Sequence, residues 1–133
     1  MTELPWPNLA AMFFNQVDRF GDEPFLWTKR DGSYRPLSWG DTAARVTPLA
    51  RSLRALGISA GDRVALVSES RPAWMVSDMA IMAIGAITVP AYTTNTVDDL
   101  AAATSRLTCL ECHLKLLFHG RHARCPLLPA AIM

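Results

Sequence analysis

The chain has 133 residues, half of them apolar and 19% charged, with seven Gly and nine Pro. That composition excludes an intrinsically disordered, collagen-like or low-complexity chain and leaves room for one domain, which at this size buries roughly two thirds of its unfolded surface. The formal net charge of +1 gives no argument for a nucleic-acid partner. The average conceals a break, however. Residues 1–100 carry nine basic and eleven acidic side chains, a net of −2, with all four Trp and both Tyr and neither Cys nor His. Residues 101–133 carry four bases and one acid, a net of +3, with all three Cys and all three His. Two differently constrained segments are expected to meet near residue 100, giving 1–100 and 101–133.

Taken in chain order, Asn8 is placed to cap a helix whose apolar positions Leu9, Met12, Phe13, Val17 and Phe20 recur at three- and four-residue steps, with Gly21 as its stop. Phe25 to Thr28 and Tyr34 to Leu37 flank Arg30-Asp31-Gly32-Ser33, which predicts a β-hairpin with a Gly-containing turn. Ser38 or Asp41 then starts a helix through Leu49, Leu53 and Leu56, closed by Gly57 just past its end. Pro48 inside that helix is expected to kink or split it.

Arg63-Val64-Ala65-Leu66-Val67 is an apolar run of strand length, followed by the polar turn Ser68-Glu69-Ser70-Arg71-Pro72. Pro72 suits the first position of a helix running from about Ala73 to Ile84, because the N–H it lacks has no partner there anyway. That helix is apolar on most sides, so burial is expected. Gly85-Ala86 closes it and Ile87-Thr88-Val89 begins a second strand. Strand, helix and strand make a βαβ unit, which implies a parallel sheet with a right-handed crossover and an α/β fold class. Thr93 to Thr96 then offer a cap for a helix beginning at Val97 to Ala103, and Leu114 to Phe118 a short strand; otherwise the tail reads as irregular or helical.

No basic region followed by an apolar run opens the sequence, and three Cys make a poor disulfide framework, so a cytoplasmic protein is expected. The stretch from Ala73 to Tyr92 is the most apolar. Asp78 interrupts it and Pro90 lies near its end, which favours a buried core segment over a membrane span.

The run from Gly61 to Trp74, continued by Gly85-Ala86-Ile87-Thr88-Val89-Pro90-Ala91-Tyr92, resembles the N-terminal region of AMP-forming acyl-CoA synthetases, the adenylate-forming superfamily of AMP-binding enzymes. Phe20-Gly21-Asp22-Glu23-Pro24 and the Tyr34 to Trp39 stretch support the match, and Thr93-Thr94-Asn95-Thr96 points to its long-chain fatty-acid branch. The resemblance covers about residues 8 to 100. It implies an incomplete N-terminal part of the large domain of such an enzyme. It further implies a parent reaction in which ATP and a fatty acid give an acyl-adenylate and pyrophosphate, followed by acyl transfer to coenzyme A, with Mg²⁺ neutralising phosphate charge. ATP, CoA and the fatty acid are thus the implied partners, with contact peripheral to the inner membrane as an option and self-association through an exposed sheet edge as another. The family's phosphate loop, adenine and Mg²⁺ motif, ribose-binding Asp and lysine lie downstream of the matched region. Within these 133 residues there is no Gly-rich run ending in Lys, and Lys29 and Lys115 are the only lysines. The isolated chain is therefore expected to be inactive, with no catalytic, cofactor-binding or metal residue assigned.

Several single residues invite a sharper reading. Trp27, Trp39 and Trp74 suit core or interface anchors better than ligand platforms. Met75, Met79 and Met82 suit core filling better than an acyl tunnel. Asp78 suits a hydrogen-bonded position at the helix surface better than catalysis. Glu69 and Arg71 follow the C-terminal end of a strand, where α/β proteins place ligands, although a solvated turn explains them as well.

In the tail, Cys109-Leu110-Glu111-Cys112-His113 has the spacing of covalent haem attachment, a chemistry that normally needs export. Cys109, Cys112, His119, His122 and Cys125 offer thiolate and imidazole to zinc without a recognised finger spacing. Besides a metal-binding protein, a small protein-interaction module is the other alternative function. A shifted reading frame accounts best for the abrupt change in composition. Translation of the other two frames after codon 100 is expected to recover the acyl-CoA synthetase pattern; failure to find it in either frame would reject the shift.

Overall fold

The computed structural model describes residues 5–95. Helix α1 spans Leu9–Phe20, strands β1 Pro24–Arg30 and β2 Ser33–Ser38 follow, then helix α2 Trp39–Ala55, strand β3 Arg63–Val67, helix α3 Pro72–Ala83 and strand β4 Ile87–Ala91. β1 and β2 pair antiparallel, and β3 pairs with β4 in parallel. The α/β class and the βαβ unit read from the sequence are therefore present. The readings that fall on Val97 to Ala103, on Leu114 to Phe118 and on the Cys/His tail lie outside the described residues.

Local chemistry accounts for the element ends. The Asn8 side chain accepts the Ala11 N–H at 2.8 Å and caps α1. The hairpin turns at Asp31 and Gly32, both with positive φ, as the tight two-residue turn demands. α2 has all three of its first N–H groups engaged: Trp39 donates to the Glu23 carbonyl, Gly40 to the Gly21 carbonyl, and Asp41 to Ser38 Oγ at 3.0 Å. Ser38, rather than Asp41, is thus the cap. At the far end, Gly57 N–H bonds to Arg54 O and Ile58 N–H to Leu53 O; α3 repeats the device with Gly85 to Met82 and Ala86 to Ile81. These are Schellman closures, which require the left-handed Gly at 57 and 85.

α2 runs unbroken through Pro48. The proline removes the N–H that would reach Ala44 O, but both residues are exposed, so water can take the freed carbonyl. The Pro48 carbonyl itself accepts from Ser52 Oγ at 3.0 Å.

The core forms where α3 covers β3 and α2 packs against α3. Val46 and Leu53 of α2, Val76, Ala80 and Ile81 of α3, and Val64 and Leu66 of β3 are buried together with Phe13, Ile58, Ile84 and Ala86. No residue of α3 is exposed, which bears out the burial expected of a helix apolar on most sides. Among the described residues the 17-residue α2 is the longest helix, and none is long and apolar enough to cross a membrane.

A second, aromatic cluster joins α1, β1 and α2. Phe25 stacks on Trp39 at 3.8 Å between ring centroids, and Phe13 and Phe20 each lie 5.9 Å from Trp39. The β1–β2 register shifts by one residue between Pro24 and Leu26. This irregularity lets two successive side chains, Phe25 and Leu26, both leave solvent.

The structure corrects three apolar assignments. Trp27 is not a core anchor, because it lies on the open face of the hairpin and is 56% exposed. Leu9 and Leu56 are exposed as well, one at the first turn of α1 and the other past the last turn of α2, where the helix surfaces rise out of the packed layer. Trp39 and Trp74 do pack against the core, and so does Met79.

Two stability measurements check these assignments. Trp39→Ala should lose about 3–5 kcal/mol and Trp27→Ala less than about 0.5 kcal/mol in denaturant unfolding; similar losses would refute the core and surface assignment. Both Gly57 and Gly85 have positive φ, but an added Cβ meets nothing at 57 and approaches Ala60 Cβ to 3.0 Å at 85. Gly57→Ala should therefore cost about 1–2 kcal/mol and Gly85→Ala distinctly more. Equal losses would show that Ala60 yields freely.

Candidate functional site

In an open α/β sheet, ligands gather beyond the carboxyl ends of parallel strands. Here Val67 of β3 pairs with Ala91 of β4, so the segments Ser68–Arg71 and Tyr92–Asn95 leave the sheet side by side. α3 begins at the same edge with Pro72 as its first residue and without a side-chain cap, so its positive dipole end faces the loops.

Within the first loop, Ser68 Oγ donates to Glu69 O at 3.2 Å and accepts from Arg71 Nε at 3.2 Å. The guanidinium is thus folded back across its own turn. Trp74 N–H closes the first helical turn on Arg71 O at 2.9 Å. Glu69, Ser70 and Arg71 are all exposed. In the second loop, Asn95 N–H bonds to Tyr92 O at 3.2 Å, leaving the Tyr92 ring 78% exposed and Asn95 half-buried.

The edge therefore presents hydroxyls, one guanidinium and one carboxylate next to an open helix N-terminus. Such a set suits the orientation of an anionic group, and it holds no second carboxylate or imidazole in its two loops for paired acid–base chemistry. Asp78, half-buried, sits six residues beyond Pro72, roughly 9 Å further along α3. Its carboxylate makes no hydrogen bond or ion pair with another described residue. Among the described residues no three or more His, Cys, Asp or Glu come together as a group able to hold a metal ion.

Of the residues singled out in the sequence, the structure places Glu69 and Arg71 in this edge and keeps Met75, Met79 and Met82 half-buried along α3. In the sequence Tyr92 belonged to the family resemblance and Thr93 to Thr96 offered a helix cap and a pointer to the long-chain branch, and neither was placed at this edge. Its place beside Ser68–Arg71 follows from the parallel register, the one signal that could have revealed it.

Comparison with known proteins agrees with this architecture. A family model described as AMP-binding enzyme matches residues 13–123. The long-chain-fatty-acid–CoA ligase FadD15 of Mycobacterium tuberculosis is 34% identical over 93 residues, covering 70% of this chain and 16% of that protein. The solved structure of IdnL1 superposes with a TM-score of 0.70 at 21% identity, covering 78% of this chain and 21% of that one, and supports the fold. The N-terminal subdomain of Klebsiella oxytoca NpsA superposes with a TM-score of 0.67 at 25% identity, covering 73% of this chain and 24% of that one. The chain thus spans a minor part of each protein it matches. With the family model covering most of its residues and the βαβ layer superposing on an N-terminal subdomain, this chain belongs to the AMP-binding enzyme family.

Proposed function

We propose that residues 8–95 form the opening part of a long-chain fatty-acid–CoA ligase. The observation that carries the reading is the ordered match to FadD15 through the βαβ unit. In the reaction proposed, a fatty-acid carboxylate oxygen attacks the α-phosphorus of ATP, and pyrophosphate leaves. The CoA thiolate then attacks the acyl carbonyl of the adenylate and AMP leaves. The role assigned to this chain is scaffolding: it supplies a parallel pair, β3 and β4, with β3 buried, on which further strands and ligand loops would be built. The 133 residues alone are proposed to be inactive, since the two loops at the carboxyl edge offer one carboxylate and one guanidinium and the chain contains no Gly-rich run ending in Lys.

A long acyl chain partitions into bilayers by about 0.8 kcal/mol per CH₂. A cytoplasmic enzyme acting on it would gain from contact with the inner membrane, and that location is part of the proposal. So is the division near residue 100, which rests on the change from −2 to +3 in charge. The family match continues to residue 123, so the frame comparison decides that point.

ATP–pyrophosphate exchange with a long-chain fatty acid tests the function. The purified chain should stay at background. A FadD15 chimera carrying residues 8–95 in place of the matching segment should retain fatty-acid-dependent exchange within about tenfold of FadD15, the loss of roughly 1.4 kcal/mol of transition-state stabilisation. Turnover by the chain alone would overturn its scaffolding role, and a folded chimera without exchange would overturn the ligase assignment.

A further inference from the structure

β3 and β4 form a parallel pair with two outer edges, and the edges differ in what their backbones offer. In a parallel ladder each residue turns its N–H and C=O to the same side, and the side alternates along the strand. Ile87 N–H bonds to Asp62 O at 2.7 Å. With Val64 opposite Thr88 and Leu66 opposite Pro90, that bond directs Ile87, Val89 and Ala91 toward β3 and turns Thr88 and Pro90 outward. Pro90 has no N–H to present there, which marks the outer side of β4 as a rim of the sheet. On β3, Val64 and Leu66 face β4, whereas Arg63, Ala65 and Val67 turn outward, each with both its donor and its acceptor.

Ala65 is the informative residue. Its N–H and C=O point away from β4, and its methyl lies on the face opposite Val64 and Leu66. It stands outside the buried cluster that those two residues share with the helices. β4 and α3 therefore leave both its edge and its face unshielded, yet Ala65 is only 8% exposed. A strand backbone out of water needs hydrogen-bond partners, which another strand supplies. The burial exists within one chain, so a second copy is not its source.

We propose that Leu114-Lys115-Leu116-Leu117-Phe118 lies parallel to β3 along this outer edge, making β3 the middle strand of three. Residues 1–4 are too few for the task. The 18 residues numbered 96–113 suffice for a parallel crossover, which takes about a dozen or more. They contain neither Gly nor Pro, and Val97, Leu100, Ala103, Leu107 and Leu110 recur at three- and four-residue steps.

Handedness then selects the edge. A right-handed crossover that leaves β4 and returns past β3 travels opposite to the first one, so it lies on the face opposite α3. That face carries Ala65, Val67, Ile87, Val89 and Ala91 and is apolar beyond Arg63. A strand added outside β4 would instead bring its crossover to the side of α3 and leave Ala65 open. The family match reaches residue 123 and so takes in the segment. The added strand extends the proposed scaffold, but its geometry stands without the ligase reading.

Nuclear magnetic resonance of the 133-residue chain tests this without ATP or fatty acid, and so fails independently of that reading. The amide hydrogens of Ala65 and Val67 should exchange at least roughly a hundredfold more slowly than in an unstructured peptide. They should also show nuclear Overhauser contacts to residues 114–118, and in a mixture of labelled and unlabelled chain those contacts should stay within one chain. Leu116→Pro should speed exchange at Ala65 and Val67 by about tenfold or more while Val89, bonded to β3, keeps its protection. The contacts in the parent decide the matter even if that variant unfolds. Rapid exchange at Ala65 in the parent, contacts from its edge to another segment or to a second copy, or unaltered protection in Leu116→Pro would overturn the proposal.

Discussion

Everything in the described structure depends on covering β3. A strand paired in parallel to its successor has to cross over through a helix, and the central residues of Arg63–Val67 are buried, so water cannot serve its polar backbone. α3 provides the crossover and covers the strand, and α2 packs against α3. The largely apolar surface of α3 follows from that position, since it touches α2 on one side and the strands on another. α1 and the hairpin are attached to this layer through the aromatic cluster, where one indole, that of Trp39, meets Phe13, Phe20 and Phe25.

The placement of Trp39 shows how local and long-range chemistry reinforce one another. It is the first residue of α2, its N–H is bonded to the loop after α1, and its ring lies against β1. A single position thereby joins three elements. The adjacent Gly40 repeats the theme, because its N–H reaches Gly21 O at 2.8 Å and a Cβ there would sit 3.3 Å from the same oxygen. The helix start and the preceding loop are thus matched surfaces rather than a helix with a separate cap.

Much of this was legible in the residues. Asn8, the Asp31-Gly32 turn, Gly57, Pro72 and Gly85 each satisfy a local steric or hydrogen-bonding demand, so they announce the ends of elements without help from the rest of the chain. The burial of α3 was legible too, since a helix of twelve residues that is apolar on most sides and carries Asp78 suits a core better than a bilayer. The exposure of Trp27 was not, because strand alternation says which residues share a face and is silent on which face is covered. The slip at Phe25 reversed the simple alternation as well, for an extra residue has no signature in a short apolar run. At the carboxyl edge, Glu69 and Arg71 could be placed after a strand, whereas Tyr92–Asn95 joined them through pairing between residues some twenty-four positions apart.

The segments entering β3 and β4 have a consequence for how the parallel pair finds its alignment. A hairpin is indexed by its turn, but two parallel strands separated by a helix have no turn to count from. Here Gly61 N–H bonds to Gly85 O at 2.9 Å and Ile87 N–H to Asp62 O at 2.7 Å, immediately before and at the first strand pair. Asp62 is itself fixed, its carboxylate accepting the Ser59 N–H at 2.7 Å. Sliding β4 by one residue would break both inter-loop bonds and turn its side chains to the opposite face. The two loops act as a stop, so the alternation of Val64 and Leu66 toward the helices is set by backbone contacts that contain none of the core side chains.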